Sequence, residues 1–355
     1  MMRLWSSGGM LARAGRASLL PLAGAYGVAS GLRRQAYGAG WIRRIRLPLP
    51  AIAVGNLAVG GAGKTPVAAW IAAWFGQHGT RAGILLRGYG RDESAVHREA
   101  APLAIVIEDP NRARGAAAAA AQGAKVLVLD DGFQHLRVRR DADIVLVSAE
   151  STALPPWPFP AGPWREGWAQ LRRADLIVVT AKSASDEEVD RALARVWRVA
   201  AHRPVAVARL RLTGLTGLRT GARLPLDVLR RARVLAGSGI ADPLGFRRQL
   251  EAAGAHVAAR AWRDHHPFSE RDVRWMIRAA DKLDYVVVTA KDAAKLRGLW
   301  PGNAPEALVA RLTVDWERGR AEIDRLLTTC VDHEASVADG RDAPGATAGS
   351  ARRAP

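Results

Sequence analysis

The stretch Val54 to Thr65, reading VGNLAVGGAGKT, constrains the fold more than any other part of this chain. An apolar run from Leu47 to Val54 leads into it, and a helix-like segment, Pro66 to Gln77, leads out. Strand, glycine loop, Lys-Thr and helix make the local architecture of a phosphate-binding P-loop. Glycines allow successive backbone N–H groups to converge on an anion with no Cβ in the way. In this reading Ala58, Val59, Gly60, Gly61, Ala62 and Gly63 form the cradle for nucleotide phosphates. Lys64 reaches the terminal phosphates, and Thr65 offers its hydroxyl to Mg2+. Pro66 has no N–H, but in the first helical turn that donor has no intrahelical partner anyway. The helix N-terminus adds positive potential to the same place. The sequence departs from GxxxxGK[ST] at its first position, where Ala58 stands instead of glycine.

From Leu47 onward, short apolar runs alternate with helical patterns. Strands are predicted at 52–54, 83–86, 104–107, 125–129, 144–147 and 176–180, with helices at 67–77, 112–121 and 186–200. Continuous apolar strands alternating with helices argue a buried, mostly parallel sheet. A second series gives strands at 205–212, 233–236, 257–262, 285–289 and 308–314, and helices at 243–253 and 270–283. The Gly- and Thr-rich stretch 213–223 separates the two. The expected fold class is therefore α/β: a P-loop NTPase-type, mostly parallel sheet flanked by helices, plus a smaller C-terminal α/β domain. The expected divisions are an N-terminal segment (1–46), a P-loop core (47–213), the smaller domain (214–330) and a polar, disordered tail (331–355).

Beyond the P-loop, four places carry chemistry. Lys125 to His135 reads KVLVLDDGFQH, an apolar strand that delivers Asp130 and Asp131 to the sheet edge holding the P-loop. Either carboxylate can hold Mg2+, directly or through water. Leu86 to Glu93 follows another strand with a bent glycine–tyrosine loop, and on residue chemistry alone Asp92 and Glu93 read as solvated surface. A Pro- and Trp-rich loop runs through Phe159 to Glu166, able to line a site or simply to pack. Asp264-His265-His266 stands at a strand end, where histidine can move a proton or the segment can cap the next helix.

The charge is unevenly spread. The chain holds 52 Lys and Arg against 34 Asp and Glu, a net +18, yet Asp92 is its first carboxylate; twelve basic residues precede it. Such a block favours polyanions or anionic surfaces. Residues 17–32 carry no charge, but sixteen residues fall short of the roughly 20 needed to span a bilayer. Arg13, Arg16, Arg33, Arg34, Arg43, Arg44 and Arg46 flank this stretch, and Trp5, Tyr26, Tyr37 and Trp41 are scattered through it. Apolar centre, arginine flanks and aromatics suit a helical segment lying in a membrane interface beside anionic lipid. The single cysteine, Cys330, rules out an intrachain disulfide, and no Cys or His cluster has zinc-ligand spacing.

Together these segments resemble the tetraacyldisaccharide 4'-kinase family. The resemblance rests on the VGN…GGAGKTP loop (54–66), RGYG (87–90), LDDGFQH (129–135), PAGPWRE (160–166), DHHPF (264–268) and VTAKDAAKL (288–296), in the family's order. In that family the P-loop commonly lacks its first glycine, as here at Ala58. The resemblance implies ATP and Mg2+ as cofactors and an acylated disaccharide phosphate lipid as the phosphate acceptor. It implies work at the cytoplasmic face of an inner membrane, with no nucleic acid and no obligate protein partner. It also implies that Asp92 and His265 form a proton-accepting dyad beside Lys64. Thr65, Asp130, Asp131 and Glu166 are then implied around Mg2+, and Arg87, Gln134, His135 and Arg165 around substrate. The family usually carries Gly-Asp-Glu-Pro well downstream of RGYG. Here Arg91-Asp92-Glu93-Ser94 follows at once, and Glu108-Asp109-Pro110 is a second match for the acidic segment. The alternative is a P-loop ATPase or GTPase acting as a regulatory switch, of the metal-chaperone or partitioning type.

Overall fold

The computed structural model describes residues 9–88, 91–154 and 156–338. Trp5, the Tyr89-Gly90 half of RGYG, and residues 339–355 of the expected tail lie outside these.

The described residues open with two consecutive helices, α1 (Met10–Ser18) and α2 (Leu20–Gly38). Then come β1 (Ala51–Asn56), α3 (Lys64–Gln77), β2 (Ala82–Leu86), α4 (Arg91–Ala100), β3 (Ile105–Glu108) and α5 (Arg112–Ala121). They are followed by β4 (Val126–Asp130), β5 (Ala142–Ser148), β6 (Leu176–Ala181), α6 (Asp186–Ala200), β7 (Val205–Gly217) and β8 (Arg223–Leu224). The last part holds β9 (Arg233–Ser238), α7 (Pro243–Ala252), β10 (His256–Ala261), α8 (Glu270–Ala280), β11 (Tyr285–Thr289), α9 (Ala290–Leu296), β12 (Leu308–Arg318) and α10 (Arg320–Ala338).

All strands join one twelve-stranded sheet in the order β10-β9-β11-β12-β7-β6-β5-β1-β4-β2-β3, with β8 added on β7. Pairing is parallel except where β7 meets β12 and β8. β1, β2, β4 and β6 are buried at every position because helices cover both faces, which is why they read as unbroken apolar runs. Val67, Ile71 and Phe75 of α3 pack with Ile323 and Leu327 of α10 on one face of the β1–β7 region. Val189, Leu193 and Val196 of α6 cover part of the other. Side-chain caps fix several helix starts. Ser185 and Glu188 close a capping box on α6, as do Ser269 and Asp272 on α8.

Several expectations need correction. β7 runs to Gly217 rather than 212, through the stretch read as a break, and β12 runs to Arg318 rather than 314. Regular helix continues past Val331, where polarity suggested order would end, and reaches Ala338. α4 replaces the expected solvated loop, and the short α9 had no counterpart in the periodicity. At the N-terminus, α1 and α2 leave Met10, Leu22, Val28, Leu32 and Trp41 exposed, and Ala23 is the buried residue of α2. Among the described residues no helix is long and apolar enough to cross a membrane.

Candidate active site

The glycine loop leaves the C-terminal end of β1 and turns into α3 at Gly63, whose φ of +83° is the left-handed conformation that glycine adopts without strain. Ala58 makes an isolated bridge with Trp164, and the neighbouring Val59 N–H donates to Pro163 at 2.6 Å. Position 58 is thus extended backbone held against the 157–166 loop, which explains why glycine is not needed there. Thr65 is buried, and the Ala62 carbonyl accepts the Thr180 hydroxyl at 2.9 Å. Lys64 Nζ donates to Asn56 Oδ1 at 3.2 Å and stands 3.5 Å from Asp131.

Asp130 and Asp131 end β4 beside the loop, as the strand pattern predicts, but their surroundings differ. Asp130 is buried and its Oδ2 lies 3.0 Å from His97 Nε2 of α4. Burial pushes its carboxyl up, but His97, with help from the Lys64 and Lys291 charges, more than offsets this and holds it at about 2. Asp131 sits at φ +56°, which turns its side chain away from its neighbour, toward Lys64 and Arg165, the latter at 3.2 Å. Desolvation opposes its charge, yet those two cations keep its carboxyl below the usual range.

Asp92 and His265 come together as the resemblance implies. His265 Nδ1 stands 3.3 Å from Asp92 Oδ2. His265 itself has φ +56°, with its N–H donating to Gly239 O at 3.0 Å. His266 takes the other reading of the same segment. Its Nε2 is 3.2 Å from the capping Asp272, and its ring is stacked near Trp262. Asp92 is only 2% exposed, on the inner face of α4 with Ser94 and His97, so the solvated-surface expectation fails. The rival acidic segment does not reach the site: Asp109 pairs with Arg114 at 2.6 Å. Because α4 carries both Asp92 and His97, it ties the Asp92–His265 pair to the β4 end and so to Lys64.

Gln134 Nε2 donates to Asn56 O at 2.7 Å, while its Oε1 is buried with no hydrogen-bond partner among the described residues. His135 lies in a field of arginines. Burial, then Arg112, Arg87, Arg140 and Arg33, depress its imidazole to about 4. Of these arginines, Arg140 is paired with Asp143 and Arg112 donates to the Asp130 carbonyl. Arg165 joins the site through Asp131. Glu166 does not: its buried carboxylate lies 3.3 Å from Arg34 of α2 and 3.5 Å from Arg173. Two guanidiniums flank the carboxylate that the resemblance sets near the metal. Among the described residues no three His, Cys, Asp or Glu side chains converge to hold an ion.

Four participants escaped the sequence reading. His97 and Arg112 are both buried and both grip Asp130, the latter donating Nη2 to its carbonyl at 3.0 Å. Lys291 is 2.7 Å from Glu93 and Lys295 is 3.0 Å from Asp92. The two lysines stand in the VTAKDAAKL motif, whose i, i+4 lysine spacing was the available signal.

Comparison with known proteins agrees with this geometry. The model of the tetraacyldisaccharide-1-P 4'-kinase family matches residues 15–331. A tetraacyldisaccharide 4'-kinase from Anaeromyxobacter sp. (strain K) is 36% identical, covering 92% of this chain and 93% of that protein. One from Anaeromyxobacter sp. (strain Fw109-5) is 35% identical over 86% and 88%. Among solved structures, LpxK from Aquifex aeolicus in complex with ATP superposes with a TM-score of 0.69 at 26% identity, covering 89% of this chain and 99% of that one. With a family model that spans most of its length and a phosphate loop, carboxylate pair and Asp–His pair arranged in one site, this chain belongs to the tetraacyldisaccharide-1-P 4'-kinase family.

Proposed function

We propose that this protein transfers the γ-phosphate of ATP to the 4'-hydroxyl of an acylated glucosamine disaccharide 1-phosphate, giving the 1,4'-bisphosphorylated lipid of lipid A synthesis. The observation that carries this reading is α4: one helix links Asp92 with its His265 partner to Asp130 and the Lys64 end of the P-loop.

Lys64 and the amides of Gly60–Thr65 hold the β- and γ-phosphates. The residues fit Mg2+ of the kind that keeps several waters and takes one or two protein oxygens beside phosphate. Thr65 and Asp131 are the donors we assign, with Asp130 committed to His97. The ion, when bound, neutralises charge across the β- and γ-phosphates. Asp92 accepts the proton of the sugar hydroxyl as the new O–P bond forms and the bond to the ADP oxygen breaks. His265 orients that carboxylate. Arg165, beside Asp131, meets charge on the transferred group, and Arg87 and His135 receive a phosphate-bearing headgroup. Catalysis is then mostly positioning and charge stabilisation.

The acceptor is a lipid, and the N-terminal helices suit it. Exposed Leu22, Val28, Leu32 and Trp41 among arginines form a surface for the membrane interface, at the cytoplasmic face of the inner membrane in this reading. The Arg34–Glu166 ion pair ties that surface to the loop after Trp164. The test is protein in detergent with ATP, Mg2+ and tetraacyldisaccharide 1-phosphate, followed by mass. Product heavier by one phosphate, lost in Lys64→Ala, is expected. Lipid-independent ATP hydrolysis with no such product would refute the kinase in favour of a regulatory switch.

A further inference from the structure

Lys295 is a half-buried cation at the site, its Nζ shielded from solvent, with no role in the reaction as set out above. It follows Lys291 by one helical turn, so both lie on the same side of α9. That side docks on α4 through two ion pairs, Lys291 to Glu93 at 2.7 Å and Lys295 to Asp92 at 3.0 Å, and Arg297, just past the end of α9, adds a third to Glu99 at 3.2 Å. Three cations on three carboxylates of one helix fix its rotation and register. α9 also sets the other half of the Asp92–His265 pair. Asp292 Oδ2 accepts the Gly239 N–H at 3.1 Å, and Gly239 O accepts the His265 N–H.

The Lys295 rung differs from its neighbours. Its Nζ is buried and forms an ion pair with Asp92 at 3.0 Å; neither oxygen of Asp92 has a further hydrogen-bond partner among the described residues. Buried polar groups left short of partners are uncommon in native structures and mark places where another group docks. Both Lys295 and His265 approach the same oxygen, Oδ2. Oδ1 is left over.

We propose that Lys295 is a positioning residue for phosphoryl transfer: with His265 it pins Oδ2 of Asp92, leaving Oδ1 as the atom that receives the sugar hydroxyl proton. This rests on the kinase reading above. The other charged groups on elements around Asp92 are Lys291 and Asp292 of α9, Asp264 and His265 after β10, and Lys64 of α3. Arg87 and Glu108 stand at the ends of β2 and β3, and His97 pairs with Asp130 at the end of β4. Burial pushes the Asp92 carboxyl up. Lys295, followed by His265 and Lys291, reverses this and holds it below the ordinary range.

The sign follows for activity. With Lys295 present, Asp92 stays charged through the working pH range, and wild-type kcat/KM for the lipid should show no acid limb above about pH 5. Lys295→Met removes the largest charge that offsets burial. Its acid limb should rise by about 1–3 pH units, with kcat recovering as pH increases and nucleotide affinity unchanged. Lys295→Arg should keep the wild-type profile. A second variant guards against misfolding. Lys295→Cys alkylated with 2-bromoethylamine regains an ammonium at nearly the same reach, and the single native cysteine, Cys330, is buried. Restored rate and profile after alkylation support the proposal. A rate loss equal at every pH, no loss at all, or no restoration in a folded, nucleotide-binding Lys295→Cys protein overturns it, as does a wild-type acid limb well above pH 5. Wild-type protein that makes no phosphorylated lipid sinks the kinase reading itself, a separate outcome.

Discussion

Gly55→Ala tests how closely the two catalytic strands are set. Gly55 lies in β1, one residue before Asn56. A Cβ there would stand 2.4 Å from Phe133 Cβ, 3.0 Å from its backbone nitrogen and 3.3 Å from its Cα. Ordinary contact begins at 3.4 Å, so the two segments must part by about 1 Å. Phe133 cannot swing aside, since its ring is fully buried with the Arg173 guanidinium 4.3 Å from its centre. The displacement therefore passes to the turn carrying Asp130, Asp131 and Gln134. Overpacking of this kind costs about 1–3 kcal/mol, a fall in Tm of about 1–4 °C for a chain of this length. A misplacement of about 1 Å at a reacting centre costs up to ~10²-fold in rate. We expect kcat for lipid phosphorylation to fall toward that limit, while ATP affinity changes less because Gly60–Thr65 keep their own turn. Gly24→Ala, in α2 with nothing within 4 Å of the new methyl, is the control and should leave both unchanged or raise Tm slightly. Wild-type kcat and Tm in Gly55→Ala would show that the β1–β4 spacing does not set the site.

Three further outcomes are expected. Asp92→Asn should lower transfer about 10²- to 10⁴-fold with ATP affinity nearly unchanged, read by lipid phosphorylation and nucleotide titration; a loss below tenfold would remove Asp92 as the proton acceptor. Burial opposes charge on Asp272, but hydrogen bonds from Ser269, His266 and Trp262 lower its carboxyl to about 2. It therefore contributes on the order of 2 kcal/mol that is present above about pH 4 and lost as pH falls through about 2. Urea unfolding of Asp272→Asn should show a loss near neutral pH and a flatter acid dependence, and equal acid dependence would contradict this. His135 should titrate near 4 in the free protein and move upward when an anionic headgroup neutralises its arginine neighbours. Imidazole proton NMR with and without the lipid reads this, and an unmoved resonance would place the headgroup elsewhere.

The P-loop, the carboxylates after β4 and most strands were legible because each buries an apolar run or breaks it with glycine. α4 was not. Its buried positions are Asp92, Ser94 and His97, so hydrophobic periodicity is blind to it, and their partners are distant in sequence: Lys295 of α9 for Asp92 and Asp130 of β4 for His97. The dyad became legible only through motif resemblance, which named Asp92 and His265 but gave Lys291 and Lys295 no part. Glu166 misled for a related reason. The resemblance set it near the metal and gave no sign of Arg34 and Arg173, distant in sequence, which flank it.

The strand order has a consequence for how the protein is made. Among the described residues, β9, β10 and β11 connect to the rest of the sheet through β12 alone, and β12 is the last strand. A ribosome that has delivered residues only to about 300 has supplied the phosphate loop but neither β12 nor α10, which packs on α3 behind that loop. His265 and Lys295 then belong to a strand group still lacking its seam. Both halves of the site are thus completed by the same late stretch of chain.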